Sequence, residues 1–325
     1  MNEIVEHDGG NVSDGPGPRD LHVVLSFTDN YLAPALVTID SLLKHISDDY
    51  RPILHFVYHK VSDKTFEFLD RHIETRRIQS DFGDLGALCA HVHFPREAAV
   101  PVIVADVLPS DIDRAIFLDA DLMIVDDLGP LWETDLEGKV FGACRDLAIS
   151  TCGSPRGVKS PEKWGVPPSA PYLNAGVMLI DLAAWRQRDP LDALLDYMRK
   201  TGKAADQFHQ EALNAVMWQE WKAVPDRWNL IAGLYGRSFG PYSRTGNDDP
   251  AVLHFSGSIK PWRIKSDNPI FAAYLAELNR VKAELGEDTD PKTMSLRDRV
   301  LTVYDAHFRP YLYPVEHFLW NQRLM

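Results

Sequence analysis

Ala115, Ile116, Phe117 and Leu118 form an apolar run that ends at once on Asp119-Ala120-Asp121, and this junction constrains the fold more than any other stretch. The run has no helical spacing, which suits a strand buried on both faces of a parallel sheet. Residues two apart in an extended segment share a side, so Asp119 and Asp121 can address one point just past the strand's carboxyl end. Open α/β sheets bind ligands there. Paired carboxylate oxygens at that place suit a hard divalent ion such as Mg²⁺ or Mn²⁺, which would neutralise a substrate phosphate. For an isolated Asp-x-Asp the competing reading is an Asp-rich turn, which is how Asp126-Asp127 reads.

The flanking sequence alternates strand and helix patterns. Leu21 to Phe27, Ile53 to Tyr58, Ala90 to Phe94 and Phe141 to Asp146 read as strands, and Leu32 to Leu43 and Lys64 to Ile73 as helices. Such alternation predicts a mostly parallel sheet with flanking helices. Thr28-Asp29-Asn30-Tyr31 forms the first strand-to-helix turn, where nucleotide-binding α/β domains place their ligand. The glycine-rich phosphate fingerprint is absent, and Asp29 or Asn30 could instead cap the helix that follows. Residues 150 to 171, rich in Pro, Gly, Ser and Lys, predict a long mobile loop of the kind that serves as a lid.

Tyr172 to Asp181 reads as a strand, and Asn174-Ala175-Gly176 inside it suggests close approach of a backbone or ligand at the glycine. Gln207 to Trp221 reads as a helix with His209 and Gln210 at its start. Val252 to Trp262 combines a strand ending in His254 with Gly257 and Lys260. Together they could supply an imidazole for a metal, an approachable amide and an ammonium for a phosphate.

Composition narrows the function classes. A formal net charge of -13 argues against nonspecific nucleic-acid binding, which rests on clustered Lys and Arg. Cys89, Cys144 and Cys152 are an odd number without zinc-site spacing, so reduced thiols in a cytosolic compartment are expected. Residues 1 to 18 read as a disordered tail without the basic start and apolar stretch of a secretory signal. No run of about 18 apolar residues offers a membrane span. The expected division is a tail at 1–18, a catalytic domain at 19–275 and an extension at 276–325.

Five ordered blocks then resemble a known family. Thr28-Asp29-Asn30-Tyr31, Phe117-Leu118-Asp119-Ala120-Asp121, Pro130-Leu131-Trp132-Glu133, Leu173-Asn174-Ala175-Gly176-Val177 and the stretch from His254 to Trp262 resemble family 8 glycosyltransferases, especially bacterial lipopolysaccharide galactosyl- and glucosyltransferases. The resemblance implies a GT-A fold, Rossmann-like with a mixed, mostly parallel sheet. It also implies a UDP-galactose or UDP-glucose donor, Mn²⁺ with Mg²⁺ as the second choice, retention of anomeric configuration, and a saccharide or glycolipid acceptor. By the same resemblance Asp119, Asp121 and His254 match metal ligands, and Gly257 and Lys260 match diphosphate contacts. Asp29, Asn30, Tyr31 and His93 fall at donor-site positions, while Asp146, Asn174 and Gln210 line the transferred sugar and reaction centre.

The pattern departs from the family at Thr28 and Pro101, where an acidic residue and an arginine are usual, with Arg96 the nearest substitute. His209-Gln210-Glu211 stands where Asp-Gln-Asp is typical. Two other classes stay open: a sugar nucleotidyltransferase, disfavoured because Ser26 to Tyr31 lacks glycines and basic residues, and a catalytically impaired homologue acting as a binding or scaffold protein. Phe271 to Leu285 predicts a helix, Glu287 to Lys292 a polar linker. Beyond it, Tyr304, Phe308, Tyr311, Tyr313, Phe318 and Trp320 interleave with arginines. Such a tail could rest on the inner face of the cytoplasmic membrane, pack back on the domain or mediate self-association.

Overall fold

The structure is a computed structural model that describes residues 17–205, 207–232, 249–257, 260–263 and 269–287. Its first half alternates as the apolar pattern requires: β1 (Arg19–Leu25), α1 (Leu32–His45), β2 (Tyr50–Tyr58), α2 (Asp63–His72), β3 (Thr75–Gln79), α3 (Gly83–Val92), α4 (Val100–Val107) and β4 (Arg114–Leu118). There follow β5 (Leu122–Ile124), the short α5 (Gly129–Trp132), β6 (Phe141–Arg145), β7 (Leu173–Asp181), α6 (Leu182–Arg188) and α7 (Leu191–Thr201). The rest is α8 (Phe208–Val216), β8 (Trp221–Ala223), β9 (Leu230–Ile231), β10 (Val252–His254) and α9 (Pro269–Leu285).

The main sheet has the order β3-β2-β1-β4-β7-β6-β8, and a small second sheet the order β5-β10-β9. In the main sheet strand pairing is parallel except at β7, which runs antiparallel to both β4 and β6. The mixed, mostly parallel α/β sheet expected from sequence is thus present.

At its centre β4 is buried on both faces. Ile116 and Leu118 join a core with Leu36, Ile39, Phe56 and Tyr274. Ala115 and Phe117 join the opposite core with Tyr172, Met178, Trp185 and Tyr197. Each large side chain withdrawn from water stabilises the fold by roughly 1.5–3 kcal/mol. The strand is therefore anchored by its apolar residues and not by the carboxylates at its end. Beyond that end, α1 holds β5 with two buried hydroxyls: Thr38 Oγ1 accepts from the Leu122 amide at 3.1 Å, and Ser41 Oγ accepts from the Ile124 amide at 2.9 Å.

Three sequence expectations are corrected. Ala90 to Phe94 is not the third strand: through Val92 it is the end of α3, whose Leu85 and Cys89 are buried one turn apart, and His93 caps the helix in the left-handed region. The third strand is Thr-Arg-Arg-Ile-Gln at β3, an edge strand whose exposed arginines leave no apolar signature. The helix expected over Gln207 to Trp221 ends at Val216, and Trp221 begins β8, which pairs parallel with β6.

The loop at 150–171 buries side chains in the core that holds Phe117 and Tyr172, contrary to a free lid. Cys152, Val158 and Val166 are buried, and the Cys152 and Gly153 amides donate to Ala170 O and Pro168 O, both at 2.8 Å. The loop is also tied to α7 and α8, because the Lys159 amide donates to Tyr197 Oη and Glu211 Oε1, each at 3.0 Å. Cys89, Cys144 and Cys152 are free and buried. Residues 1–16 of the tail expected at 1–18, the Ser258-Ile259 pair and the aromatic extension beyond 287 lie outside the described residues.

Candidate active site

The Asp-x-Asp turn leaves the carboxyl end of β4 between β7 and β10. The Asp119 amide donates to Gly176 O at 2.8 Å, and the Phe255 amide donates to Asp121 O at 3.1 Å. Antiparallel pairing of β5 with β10 sets Leu122 opposite His254. The imidazole is thereby carried to the carboxylates: His254 Nε2 lies 3.5 Å from Asp119 Oδ2 and 3.4 Å from Asp121 Oδ1. One ligand atom from each of Asp119, Asp121 and His254 falls within 4.8 Å of the others.

A half-buried carboxylate at Asp119, a buried one at Asp121 and one imidazole nitrogen at this spacing fit a divalent cation, whose charge would offset the repulsion between the carboxylates. Lys260 joins them, its ammonium donating to Asp121 Oδ2 and, at 2.7 Å, to Phe255 O. Burial pushes the Asp119 carboxyl above its ordinary range, with the charge of Asp121 adding to the effect. Burial acts on Asp121 in the same sense, but there Lys260 and His254 outweigh it and hold the carboxyl well below the usual range.

The sugar-lining residues expected from sequence also converge. Register between β6 and β7 shifts at Ala143/Cys144, so that Ala143 pairs with Met178 and Cys144 with Asn174. Ala175 and Gly176 sit in that irregularity, and side chains satisfy their amides: Gln210 Oε1 accepts from Ala175 N and Asn174 Oδ1 from Gly176 N, both at 3.0 Å. Asn174 Nδ2 and Gln210 Nε2 then donate to Asp146 Oδ2 at 2.9 and 3.1 Å. Asp146 Oδ1 accepts from the Ala148 and Ile149 amides at 2.8 and 2.9 Å. Asp146 thus takes four donors and acts as an anchor that orients Asn174 and Gln210.

Two residues missed in the sequence complete this network. Asn214, one turn beyond Gln210, exchanges hydrogen bonds with the Leu173 backbone and donates to Gln210 O. Asn229, 1% exposed, donates from Nδ2 to Asn174 Oδ1 at 2.8 Å and presents Oδ1 to His254 Nδ1 at 2.8 Å. A polar residue after Arg227-Trp228 and before an apolar pair was the only available signal.

Other donor-site expectations divide. Tyr31 meets Trp262 edge to face at 6.2 Å, and Lys260 Nζ lies 5.8 Å from the Trp262 ring centroid, so these three share one edge of the site. Asn30 is exposed in the turn beside Tyr31, and Gly257 takes a positive φ of 79° between His254 and Lys260. Asp29 does not cap α1. Its carboxylate instead accepts from the Ser62 amide and from the Ser62 and Thr65 hydroxyls at the start of α2, and these bonds, prevailing over burial, lower its pKa.

His93 is exposed at the end of α3, and among the described residues no polar contact ties it to Asp119, Asp121 or His254. Thr28 caps nothing with its side chain. Pro101 is buried in the first turn of α4, and the Arg96 guanidinium turns to Asp81 O at 3.4 Å.

Residues 22–266 match the model of the family described as Glycosyl transferase family 8. The chain belongs to that family. Its similar relatives include "Probable galacturonosyltransferase-like 4" of Arabidopsis thaliana, 30% identical over 283 residues, covering 78% of this chain and 77% of that protein. "Probable galacturonosyltransferase-like 3" of the same plant is 29% identical over 276 residues, with the same coverage. Among solved structures, the galactosyltransferase LgtC in complex with donor and acceptor sugar analogs is similar with a TM-score of 0.65 and 22% identity, over 86% of this chain and 99% of that one. The architecture is accordingly the GT-A fold. No described helix of this family member is long and apolar enough to cross a membrane.

Proposed function

We propose that this glycosyltransferase is metal dependent and moves a hexose from a UDP-sugar to a saccharide or glycolipid acceptor with retention of configuration. The observation that carries the reading is the convergence of Asp119, Asp121, His254 and Lys260 at the carboxyl end of β4. Asp119, Asp121 and His254 would hold the cation, and a mixed oxygen and imidazole set favours Mn²⁺ over Mg²⁺. Bound there, the ion supplies positive charge beside a departing diphosphate. Lys260 adds a second positive charge, and the Gly257 amide a neutral donor. Asn30 and Tyr31 face the ribose and base, with Asp29 bracing their turn against α2. His93 stays a proposed donor contact.

Gln210 stands at the reacting carbon in this reading. Its amide is fixed by Asp146 and the Ala175 amide, so it can orient the sugar or stabilise positive charge without ionising. Both neighbouring carboxylates are engaged: Asp146 accepts four donors, and the fully buried Glu211 accepts from Tyr197 Oη at 2.5 Å. That supports front-face substitution, in which the acceptor hydroxyl passes its proton toward the departing diphosphate. The family resemblance suggests galactose or glucose as the sugar, and the names of the plant relatives add galacturonate. The expected place of action is the cytoplasm, with acceptors at the inner membrane face.

A second reading, a nucleotide-sugar binding protein without transfer, is favoured by one observation: buried Pro101 stands where the family's arginine is usual. Thermal shift and donor hydrolysis decide between the two. The protein is incubated with Mn²⁺ and, separately, UDP-galactose, UDP-glucose, UDP-galacturonic acid and their GDP counterparts. Stabilisation by one UDP-sugar with release of UDP supports the transferase, stabilisation without release supports the binding protein, and stabilisation by none overturns both.

A further inference from the structure

Asn229 lies between the metal cluster and the Asp146–Asn174–Gln210 network, and donor-acceptor logic settles which way each group in that bridge points. Asp146 receives the Ala148 and Ile149 amides and is therefore the acceptor for Asn174, whose NH₂ must face it. Asn174 Oδ1 then faces the Gly176 amide, which can only donate. The same oxygen takes the second hydrogen bond from Asn229, so Asn229 presents its NH₂ to Asn174 and its carbonyl oxygen to His254. A carbonyl oxygen can only accept. Nδ1 of His254 must carry a proton, and in the neutral ring the lone pair is then on Nε2, the nitrogen that faces Asp119 and Asp121.

We infer that Asn229 is a positioning residue that fixes the metal-binding tautomer of His254 and, through Asn174, couples that imidazole to the groups holding Gln210. The inference rests on the metal reading of the site. Among the described residues Asn229 makes side-chain hydrogen bonds to Asn174 and His254 and none to Asp119, Asp121 or Gln210, so it acts through its two partners. Its own exposure of 1% means that both amide ends lack access to water, so losing either partner leaves a buried polar group unmet.

Two measurements test this. Nitrogen-15 NMR of His254 in metal-free wild-type protein reads the tautomer directly: a protonated Nδ1 is expected from pH 6 to 8, and an unprotonated Nδ1 overturns the inference. Calorimetric titration with Mn²⁺ then compares N229L, which lacks the acceptor, with N229D, which keeps one. The expected loss of affinity is about 10- to 100-fold for N229L. N229D should stay within about threefold of wild type, because a carboxylate orients a ligating imidazole as well as an amide oxygen does. Equal affinities in all three proteins, or equal losses in the two variants, would show that Asn229 supports the fold alone and would overturn the inference. If N229L does not fold, N229D and the tautomer measurement decide. Failure of the wild type itself to bind Mn²⁺ overturns the metal reading, whereas the tautomer result still stands or falls by itself.

Discussion

Gly176 and His254 approach so closely that a Cβ at residue 176 would lie 2.3 Å from Cε1 of the imidazole and 2.9 Å from Asp119 Oδ2. The glycine in Asn-Ala-Gly is thus required by the cluster opposite it, because any side chain there would push the imidazole or the carboxylate out of place. Gly176→Ala should lower Mn²⁺ affinity by more than about tenfold and cost roughly 1–3 kcal/mol of stability, as overpacking does. Metal titration and urea unfolding check both numbers, and an unchanged variant would mean that the cluster can shift without loss.

Asp119 and Asp121 should respond differently to neutralisation. Asp121 is paired with buried Lys260, so Asp121→Asn leaves an ammonium unpaired and should cost about 3 kcal/mol. Asp119 faces the His254 imidazole at 3.5 Å but no ammonium at hydrogen-bond distance, and burial disfavours its charged form, so Asp119→Asn should cost the metal-free protein less than Asp121→Asn does. Both variants should lose Mn²⁺-dependent UDP binding. Unfolding curves with calorimetry separate the two effects, and intact binding in both would sink the metal assignment.

If Gln210 acts in the transition state, Gln210→Ala should lower kcat by about 100-fold or more with little change in donor affinity. Gln210→Glu places a carboxylate at the same point. Front-face substitution predicts slower turnover and no covalent adduct, and a hexose increment in the intact mass would point to a nucleophilic route instead.

Asp146 accepts four hydrogen bonds, so the proposed reading makes it an anchor and not a general base. Asp146→Asn replaces one of the two acceptor oxygens, and with it two of the four hydrogen bonds, by a donor and should destabilise the fold by roughly 1–3 kcal/mol. The pH dependence of the remaining kcat should match wild type. A lost ionisation in the pH profile would restore a direct proton-transfer role.

Stability should fall on acidification through the buried histidines. Burial lowers His209 to about 4, and burial together with the neighbouring His22 and Arg76 lowers His55 to about 4, against 6.5 for the ordinary imidazole. Between those values the unfolded chain binds more protons than the native one, so their contribution is complete above pH 6.5 and is lost progressively down to about pH 4. Urea midpoints from pH 4 to 8 should show this slope, and it should be shallower in His55→Leu than in wild type. Equal slopes would place His55's titration at its ordinary value.

Much of the frame was legible from local pattern because its causes are local. Four apolar residues without helical spacing had to be buried on two faces, and β4 does divide Ile116 and Leu118 from Ala115 and Phe117 between opposite cores. The two-residue period of an extended chain is enough to bring Asp119 and Asp121 to one side. The motif at Leu173 to Val177 suggested close approach at its glycine, and the imidazole of His254 meets it there. Where the cause was not local the pattern misled. The edge strand β3 carries two exposed arginines and is a strand through its pairing with β2, and Trp221 fitted a helical spacing although pairing with β6 makes it β8.

The residues that orient the site belong to the second kind. Asn229 meets Asn174 across 55 positions of the chain, and Asn174 meets Asp146 across 28, at distances set by the β6–β7 irregularity and the packing of β10 against β5. Which residues carry charge and which strand they end could be read from local pattern, since burial and strand period act over a few neighbours. Which amide faces which carboxylate, and that Asp29 braces α2 instead of capping α1, followed from packing between distant segments. A hydrogen bond has a direction only once both partners are in place.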